Sequence, residues 1–280
     1  MTTIAAQTQP RTKLMRRRKK TTEHHRGLLI ALEIFTPIAL LALWWAVSAG
    51  STNIFFPPLQ EILVRLWQLS QTPDFLIDVG TSLGNLLLSF VLASVIGIAA
   101  GLLLGTTRAL AWLLEPAMHF FRAIPPVALV PIFVSLIGFE NSTRILSITI
   151  AALFPVLIST MDGVRSNDPT LDMVGRVYRL TWSERLFLVT LPAAAPRIVS
   201  GMQVSLIAAF VVMIASEMLG SSTGLGAKTL LAQQTFAIAD MWAGILLLGV
   251  LGYLVNAVFD LFRRRVLRWY IAAQQQERQL

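Results

Sequence analysis

The stretch Gly220–Thr229, which reads GSSTGLGAKT, contains the residue types of two kinds of chemistry. Its first five residues satisfy G-x-S-x-G, the pattern that presents a nucleophilic serine at a strand-to-helix turn in hydrolases. Its later residues come within one position of the Gly-Lys-Thr that ends a phosphate-binding loop. The stretch therefore suggests hydrolysis or nucleotide binding, and the elements around it decide whether either is possible.

The composition places the chain in a membrane. It has 280 residues, of which 55% are hydrophobic and 14% are charged, and its mean hydropathy is +0.67. Soluble domains carry about 25% charged residues, so this chain lacks the polar surface that would keep it in solution. Its net charge of +8 is the kind of basic excess that cytoplasmic loops of membrane proteins carry. We therefore predict an all-α membrane protein in contact with lipid and without a nucleic-acid partner.

Six stretches are long and apolar enough to cross the bilayer, which takes about 20 apolar residues. They cover residues 27–49, 79–105, 112–138, 144–162, 198–218 and 240–261. The second carries Gly97, Gly101 and Gly105 at four-residue spacing. Such a face of small residues predicts a close approach by another helix.

The third span is interrupted by Pro125, Pro126 and Pro131, so we predict a kinked or broken helix. Broken backbone at membrane depth is tolerated only against protein or a water-filled cavity, which makes this span a candidate pathway wall. We assign Arg122, Pro125, Pro126 and Glu217 to the translocation pathway. For Arg122 the alternative is snorkelling to the headgroups, and for Glu217 it is contact with interfacial water.

Lysine and arginine are distributed unevenly between the two sides of these spans. Of the 23 such residues, 19 fall before the first span, near Arg108, in segment 163–197 or at the C-terminus. Because basic loops stay on the cytoplasmic side, we predict six spans with both termini in the cytoplasm.

This orientation puts GSSTGLGAKT outside the cell, in a Gly/Ser-rich turn between the last two spans. A phosphate-binding loop needs glycine directly before its lysine, and here Ala227 intervenes. A serine hydrolase needs a histidine base, and none of the three histidines is placed to reach Ser222. We predict that neither chemistry takes place and that the protein has no catalytic residue, metal site or cofactor.

The longest predicted cytoplasmic loop, 163–197, begins with a helix. Asp168 can cap it and Pro169 suits its first turn. Leu171, Val174 and Tyr178 then recur at three- and four-residue spacing, which predicts one apolar stripe. Such a stripe could rest on the lipid surface or enter a groove on a soluble partner, and the spacing leaves both open.

A second short helix is predicted to come next in the same loop. Thr181 and Glu184 have the spacing of a capping box. We expect Pro192 and Pro196 to end this helix before the fifth span.

The loop resembles the cytoplasmic coupling loop of ABC importer permeases, whose signature reads EAA…G…I-LP. The residues that carry the resemblance are Asp168, Pro169, Leu171, Arg176, Tyr178, Leu180, Leu191 and Pro192. Three further stretches resemble segments of the same family in the right order: IFFPPLQEIL at 54–63, FRAIPPVALVPIFVSLIGF at 121–139 and ASEMLGSSTGLG at 215–226. Together they point to the subgroup that imports sulfonates, taurine, nitrate or thiamine precursors.

The resemblance implies the type I importer permease fold in a bacterial inner membrane. It implies a transmembrane domain over residues 27–262, between cytoplasmic tails 1–26 and 263–280. It also implies a second copy of the subunit, cytoplasmic ATPase subunits that carry out ATP hydrolysis, and an external or periplasmic solute-binding protein. The expected cargo is a small solute, an anion such as sulfonate, taurine or nitrate. An intramembrane enzyme and a secondary transporter are the alternatives.

The chain departs from the family pattern at three places. Met173, Val174 and Gly175 stand where the family has EAA, and Asn85 stands where the second span often carries arginine. Arg179 replaces the usual turn glycine. Arg179 must therefore adopt a left-handed conformation, at about 1 kcal/mol or more, or lengthen the first helix.

Overall fold

The structure is a computed structural model that describes residues 21–270 and 272. The predicted tail 1–26 therefore lies mostly outside the described residues, and the tail 263–280 lies partly outside them. The described helices are α1 Thr21–Ser48, α2 Leu59–Ser70, α3 Pro73–Thr106, α4 Arg108–Ala123, α5 Pro126–Ile137, α6 Asn141–Arg165, α7 Pro169–Val177, α8 Trp182–Arg185, α9 Leu191–Gly220, α10 Leu225–Gln234 and α11 Ile238–Val266. A π-helical turn, Leu186–Thr190, joins α8 to α9.

The chain divides into two compact units, one up to Glu61 and one from Ile62. In the first unit, α1 ends at Ser48, whose hydroxyl accepts a hydrogen bond from the Leu59 N–H at 3.1 Å. This bond ties the end of α1 to the beginning of α2.

In the described part of the chain, four helical stretches are long and apolar enough to span a bilayer: 73–106, 141–165, 182–220 and 238–266. The pair α4 and α5 adds a fifth if it counts as one broken span. The apolar part of α1 over which side chains are described, Phe35–Ser48, is shorter than a span. The all-α membrane fold is confirmed, whereas the count of six spans stays a prediction.

The core of the second unit lies between α3, α6 and α9, where Leu86, Ile148 and Met213 are buried. The glycines on α3 are what allow α6 to come close. A Cβ added at Gly101 would lie 2.5 Å from the Cβ of Thr160, closer than real Cβ atoms approach. The close approach predicted from the glycine spacing is confirmed.

The third predicted span is broken, as the prolines indicate. Helices α4 and α5 meet at 90°. Ile124 and Pro125 are extended at the corner, because a residue that precedes proline avoids the helical region. Pro126 then occupies the first turn of α5, where its missing N–H costs no hydrogen bond.

Candidate functional site

Helix α7 begins as the sequence predicts. The Asp168 side chain accepts a hydrogen bond from the Thr170 N–H at 2.8 Å, and Pro169 opens the first turn. This hydrogen bond holds the pKa of the Asp168 carboxyl below its usual value. The cap fixes where α7 starts relative to the end of α6 at Arg165.

Helix α7 ends with a left-handed residue. Arg179 has φ +53°, so the first of the two predicted alternatives is confirmed. Its own N–H bonds to the Arg176 carbonyl, and the Leu180 N–H bonds to the Gly175 carbonyl, both at 3.0 Å. These bonds turn the chain sharply toward α8, in the manner of a helix C-cap that usually employs glycine.

The predicted apolar stripe lies on the exposed side of α7. Leu171 is 40% exposed, Val174 46% and Tyr178 76%. Helix α7 has nine residues, or about 14 Å, so it is too short to cross a bilayer. The stripe is therefore a partly exposed apolar surface on a helix too short to be a span.

Gly175 packs α7 against α8. It is buried, and a Cβ there would lie 3.3 Å from Cγ of Arg185, a tight contact. Thr181 and Glu184 form the predicted capping box at the start of α8. Gly175 stands where the family has alanine, and its lack of a side chain lets the Arg185 side chain lie across α7.

The predicted end of the second helix is wrong. Residues 182–220 form one continuous helical stretch that joins α8 to the fifth predicted span. The stretch passes Pro192 because a π-helical turn precedes it, with the Leu191 N–H bonded to the Leu186 carbonyl five residues back. Pro196 lies inside α9 and does not end it either. Leu191 and Pro192 therefore begin α9.

The four residues assigned to the pathway lie in two separate places. Arg122 is exposed in the last turn of α4, beside Pro125 and Pro126 at the 90° corner. Glu217 is fully buried near the end of α9. Within a single chain they do not form one surface, and their role in the pathway stays a prediction.

The stretch GSSTGLGAKT is more than the Gly/Ser-rich turn that the sequence predicts, because half of it is helical. Its second half forms α10, in which Leu225, Gly226, Ala227 and Thr229 are buried. Three hydrogen bonds, which we name the amide clasp, hold the first turn of α10: Gly224 N–H to Asp78 Oδ1 at 2.7 Å, Leu225 N–H to Ser82 Oγ at 3.0 Å, and Gly226 N–H to Glu217 Oε2 at 2.8 Å. The clasp joins α10 to α3 and α9.

The amide clasp occupies the backbone amides that a phosphate-binding loop would use. The amides that would converge on a phosphate already bond to the protein's own oxygens, on Asp78, Ser82 and Glu217. The Lys228 ammonium lies 3.8 Å from the Asp78 carboxylate. The bonds to Asp78 and Ser82 thus disfavour phosphate binding for a reason that no local sequence pattern contains.

Sequence reasoning missed Asp78 and Ser82, although a signal was present. They stand four residues apart near the beginning of an apolar span, and buried polar residues in such spans usually have a partner. Their partners lie more than 140 residues away along the chain, so nothing local identifies them.

These features define a class of protein: a polytopic helical subunit with a broken span and a capped amphipathic helix projecting beyond the spans. The chain belongs to the family of binding-protein-dependent transport system inner membrane components, whose sequence model matches residues 93–270. It is thus an integral membrane protein and the permease subunit of an ABC importer, as the motif resemblance implied.

Two relatives and one solved structure illustrate the match. SsuC of Bacillus subtilis, named for aliphatic sulfonate transport, is 30% identical over 268 residues, which cover 95% of this chain and 96% of SsuC. The bicarbonate transport permease CmpB of Synechococcus elongatus is 34% identical over 190 residues, or 67% and 68% of the two chains. A chain of a bacterial alginate ABC transporter, solved with an alginate pentasaccharide-bound periplasmic protein, superposes with a TM-score of 0.60 at 16% identity over 89% of this chain and 97% of that one. The last likeness concerns the fold, and it agrees with the predicted importer permease architecture.

Proposed function

We propose that this permease couples ATP hydrolysis on a separate cytoplasmic subunit to solute translocation, and that α7 is the element that docks on the ATPase. The observation that carries the proposal is the exposed stripe of Leu171, Val174 and Tyr178 on a helix outside the spans. An amphipathic helix of this kind fits a hydrophobic groove on a partner. The cap at Asp168 and the left-handed turn at Arg179 fix where this helix begins and ends.

The cationic bias supports the cytoplasmic placement of α7 and of both termini. The loop that contains α7 also carries Arg165, Arg176, Arg179 and Arg185. On the same scheme, α10 and the amide clasp lie on the external side. That is where a solute-binding protein delivers its cargo.

The docking proposal is tested by replacing Leu171 and Val174 with aspartate. Fully burying a Leu or Val side chain contributes about 1.5–3 kcal/mol. Each is already about half buried in the subunit, so the pair contributes roughly 1.5–3 kcal/mol to docking, or about a ten- to hundredfold change in affinity. We expect a folded subunit that no longer copurifies with its ATPase and no longer transports.

The matched control places the same two charges on the opposite side of the membrane. Gln233 and Gln234 are exposed at the end of α10, and replacing both with aspartate should leave ATPase copurification unchanged. Wild-type ATPase stoichiometry in the Leu171→Asp/Val174→Asp variant would mean that the stripe rests on lipid. Loss of the ATPase in the control variant would mean that added charge alone disrupts the complex.

For the cargo, we propose a small anion such as a sulfonate, taurine or nitrate, carried through a pathway formed with a second copy of this chain. The relatives named above are assigned to sulfonates and to bicarbonate, and both groups are negatively charged at neutral pH. Uptake of a labelled alkanesulfonate into whole cells, with unlabelled nitrate and bicarbonate as competitors, tests this class. Competition only by neutral solutes would contradict it.

A further inference from the structure

The π-helical turn Leu186–Thr190 interrupts an otherwise regular helix at the place where the coupling segment meets the fifth span. The Leu191 N–H bonds to the Leu186 carbonyl, which is the i to i−5 pattern of a π turn. Such turns are rare, since they hold one residue more than an α turn, and they occur often at functional sites. The turn therefore needs a physical cause.

Pro192 supplies this cause. In a regular α-helix, its ring would clash with the carbonyl four residues earlier, that of Leu188, and its nitrogen could not donate to that carbonyl. A wider turn before the proline removes the clash. Pro196, by contrast, lies one turn further along in regular α-helix, with no π turn before it. The two prolines thus differ in the backbone that precedes them, a π turn before Pro192 and regular α-helix before Pro196.

The turn joins two helical parts. On one side, the Arg185 side chain of α8 lies against Gly175 of α7. On the other, α9 runs for 30 residues, or roughly 45 Å, and carries Glu217 of the amide clasp near its far end. The stretch 182–220 therefore connects α8 to the amide clasp without a break in the helix.

The surroundings leave room for the turn to move. A cavity of about 400 Å³ lies between α7 and the turn, and Leu171, Arg185, Leu186 and Val189 are among its lining residues. One hydrogen bond from the loop reaches the end of the turn, from Asn167 Nδ2 to the Thr190 carbonyl at 3.4 Å. The Phe187 and Leu188 side chains are exposed on the turn rather than packed in the core.

We propose that Pro192 is a positioning residue for transport. It keeps Leu186–Thr190 in π geometry, and so makes this turn the hinge through which α7 and α8 change their angle to α9. The inference rests on the proposed function, because it takes α7 to be the ATPase contact. Pro192 itself touches neither ATP nor the solute, and its effect passes through the geometry of the turn.

The test compares Pro192→Ala with Pro196→Ala in the purified complex with its ATPase. The chain has no cysteine, so spin labels can be attached at Ser183→Cys and Val204→Cys, two exposed positions on either side of the turn. Alanine is the best helix former, so both variants should fold and bind the ATPase with an affinity within about twofold of wild type. The readout is the change in label distance when ATP and vanadate are added.

We expect this change in the wild type and in Pro196→Ala, and a loss of at least about fivefold in Pro192→Ala. A wild-type distance change in Pro192→Ala overturns the hinge. Loss of the ATPase from Pro192→Ala also overturns it, because the residue would then act on docking. If Leu171→Asp/Val174→Asp retains the ATPase, the proposed docking of α7 on the ATPase is wrong. That conclusion does not depend on the result for Pro192→Ala.

A second variant separates the hinge from the direction that α8 faces. Removing one residue from a helix rotates the segment before the deletion by about 100° relative to the segment after it. Deleting Leu188 in the Pro192→Ala variant removes the extra residue of the π turn. The helix then becomes regular, and α8 keeps its wild-type orientation about the helix axis. The distance change should stay lost in this variant. If the distance change returns, its loss in Pro192→Ala was caused by the changed orientation of α8 and not by loss of the hinge, and the proposal is wrong.

Discussion

Gly224 is the residue on which the amide clasp depends most, and Gly224→Ala measures how much the clasp stabilises the protein. Its φ is +105° and its ψ is 160°, a region that only glycine adopts readily. A Cβ there would also lie 2.5 Å from Cδ of Glu217 and 2.7 Å from both of its carboxylate oxygens. The substitution therefore strains the backbone and displaces the carboxylate together.

The two effects have separate magnitudes. Alanine in this backbone region costs about 1–3 kcal/mol. Moving Glu217 breaks its hydrogen bond to Gly226, and leaving such buried groups unpaired costs about 1–3 kcal/mol, more when one is charged. We expect a loss of roughly 2–6 kcal/mol in total.

Gly138 offers a matched control. It has φ +98° and ψ −175°, nearly the same backbone conformation, yet no atom lies within 4 Å of an added Cβ. Gly138→Ala should thus lose only the strain energy, about 1–3 kcal/mol. Gly249→Ala, inside α11 and equally uncrowded, should be neutral or gain up to about 1 kcal/mol.

The assay is thermal unfolding of the detergent-purified subunit, followed by the fluorescence of its seven tryptophans. A difference of 1 kcal/mol corresponds to about 2–4 °C in a chain of this size. We expect the melting temperature of Gly224→Ala to lie at least about 2–4 °C below that of Gly138→Ala. Equal melting temperatures for the two variants would show that the clasp does not constrain Glu217, and the reasoning would fail.

Three further outcomes are expected. Arg179→Gly should stabilise the subunit by about 1 kcal/mol, because glycine adopts the left-handed conformation without the Cβ penalty, and an unchanged or lower melting temperature would contradict this. The pKa of Asp168 is lowered in the folded state, so its cap stabilises α7 above the unfolded pKa near 4 and is lost as pH falls through the lower folded pKa. Protection of the Thr170 amide from exchange should therefore fall in acid, whereas Asp168→Asn should show no such pH dependence. For topology, Ser222→Cys should react with an impermeant reagent from outside and Ser166→Cys should not, since both are exposed, and the reverse pattern would invert the scheme.

Local signals in the sequence predicted much of this protein correctly. The capping box at Thr181 and the cap at Asp168 were both predictable because a helix cap involves residues two or three positions apart. The broken third span could be predicted from Pro125 and Pro126, since proline acts on its own turn of helix. The sequence left two alternatives at Arg179, a left-handed conformation or a longer first helix, and the structure adopts the left-handed conformation.

The sequence by itself determined that this chain lies in a membrane, where the four long apolar helices of its described part run and where α7 begins, because hydropathy and capping depend on neighbours along the chain. Only the tertiary structure decided that the helix continues through Pro192 and that GSSTGLGAKT folds into a buried helix. In the first case, a π turn precedes Pro192, and the helix continues through the proline instead of ending there. The residues around a proline do not show which kind of turn precedes it. In the second case, the amides of Gly224 and Leu225 needed acceptors in a dry interior, and Asp78 and Ser82 come from a helix more than 140 residues earlier. Which distant oxygen meets a given amide depends on how the helices pack, and no local pattern encodes that.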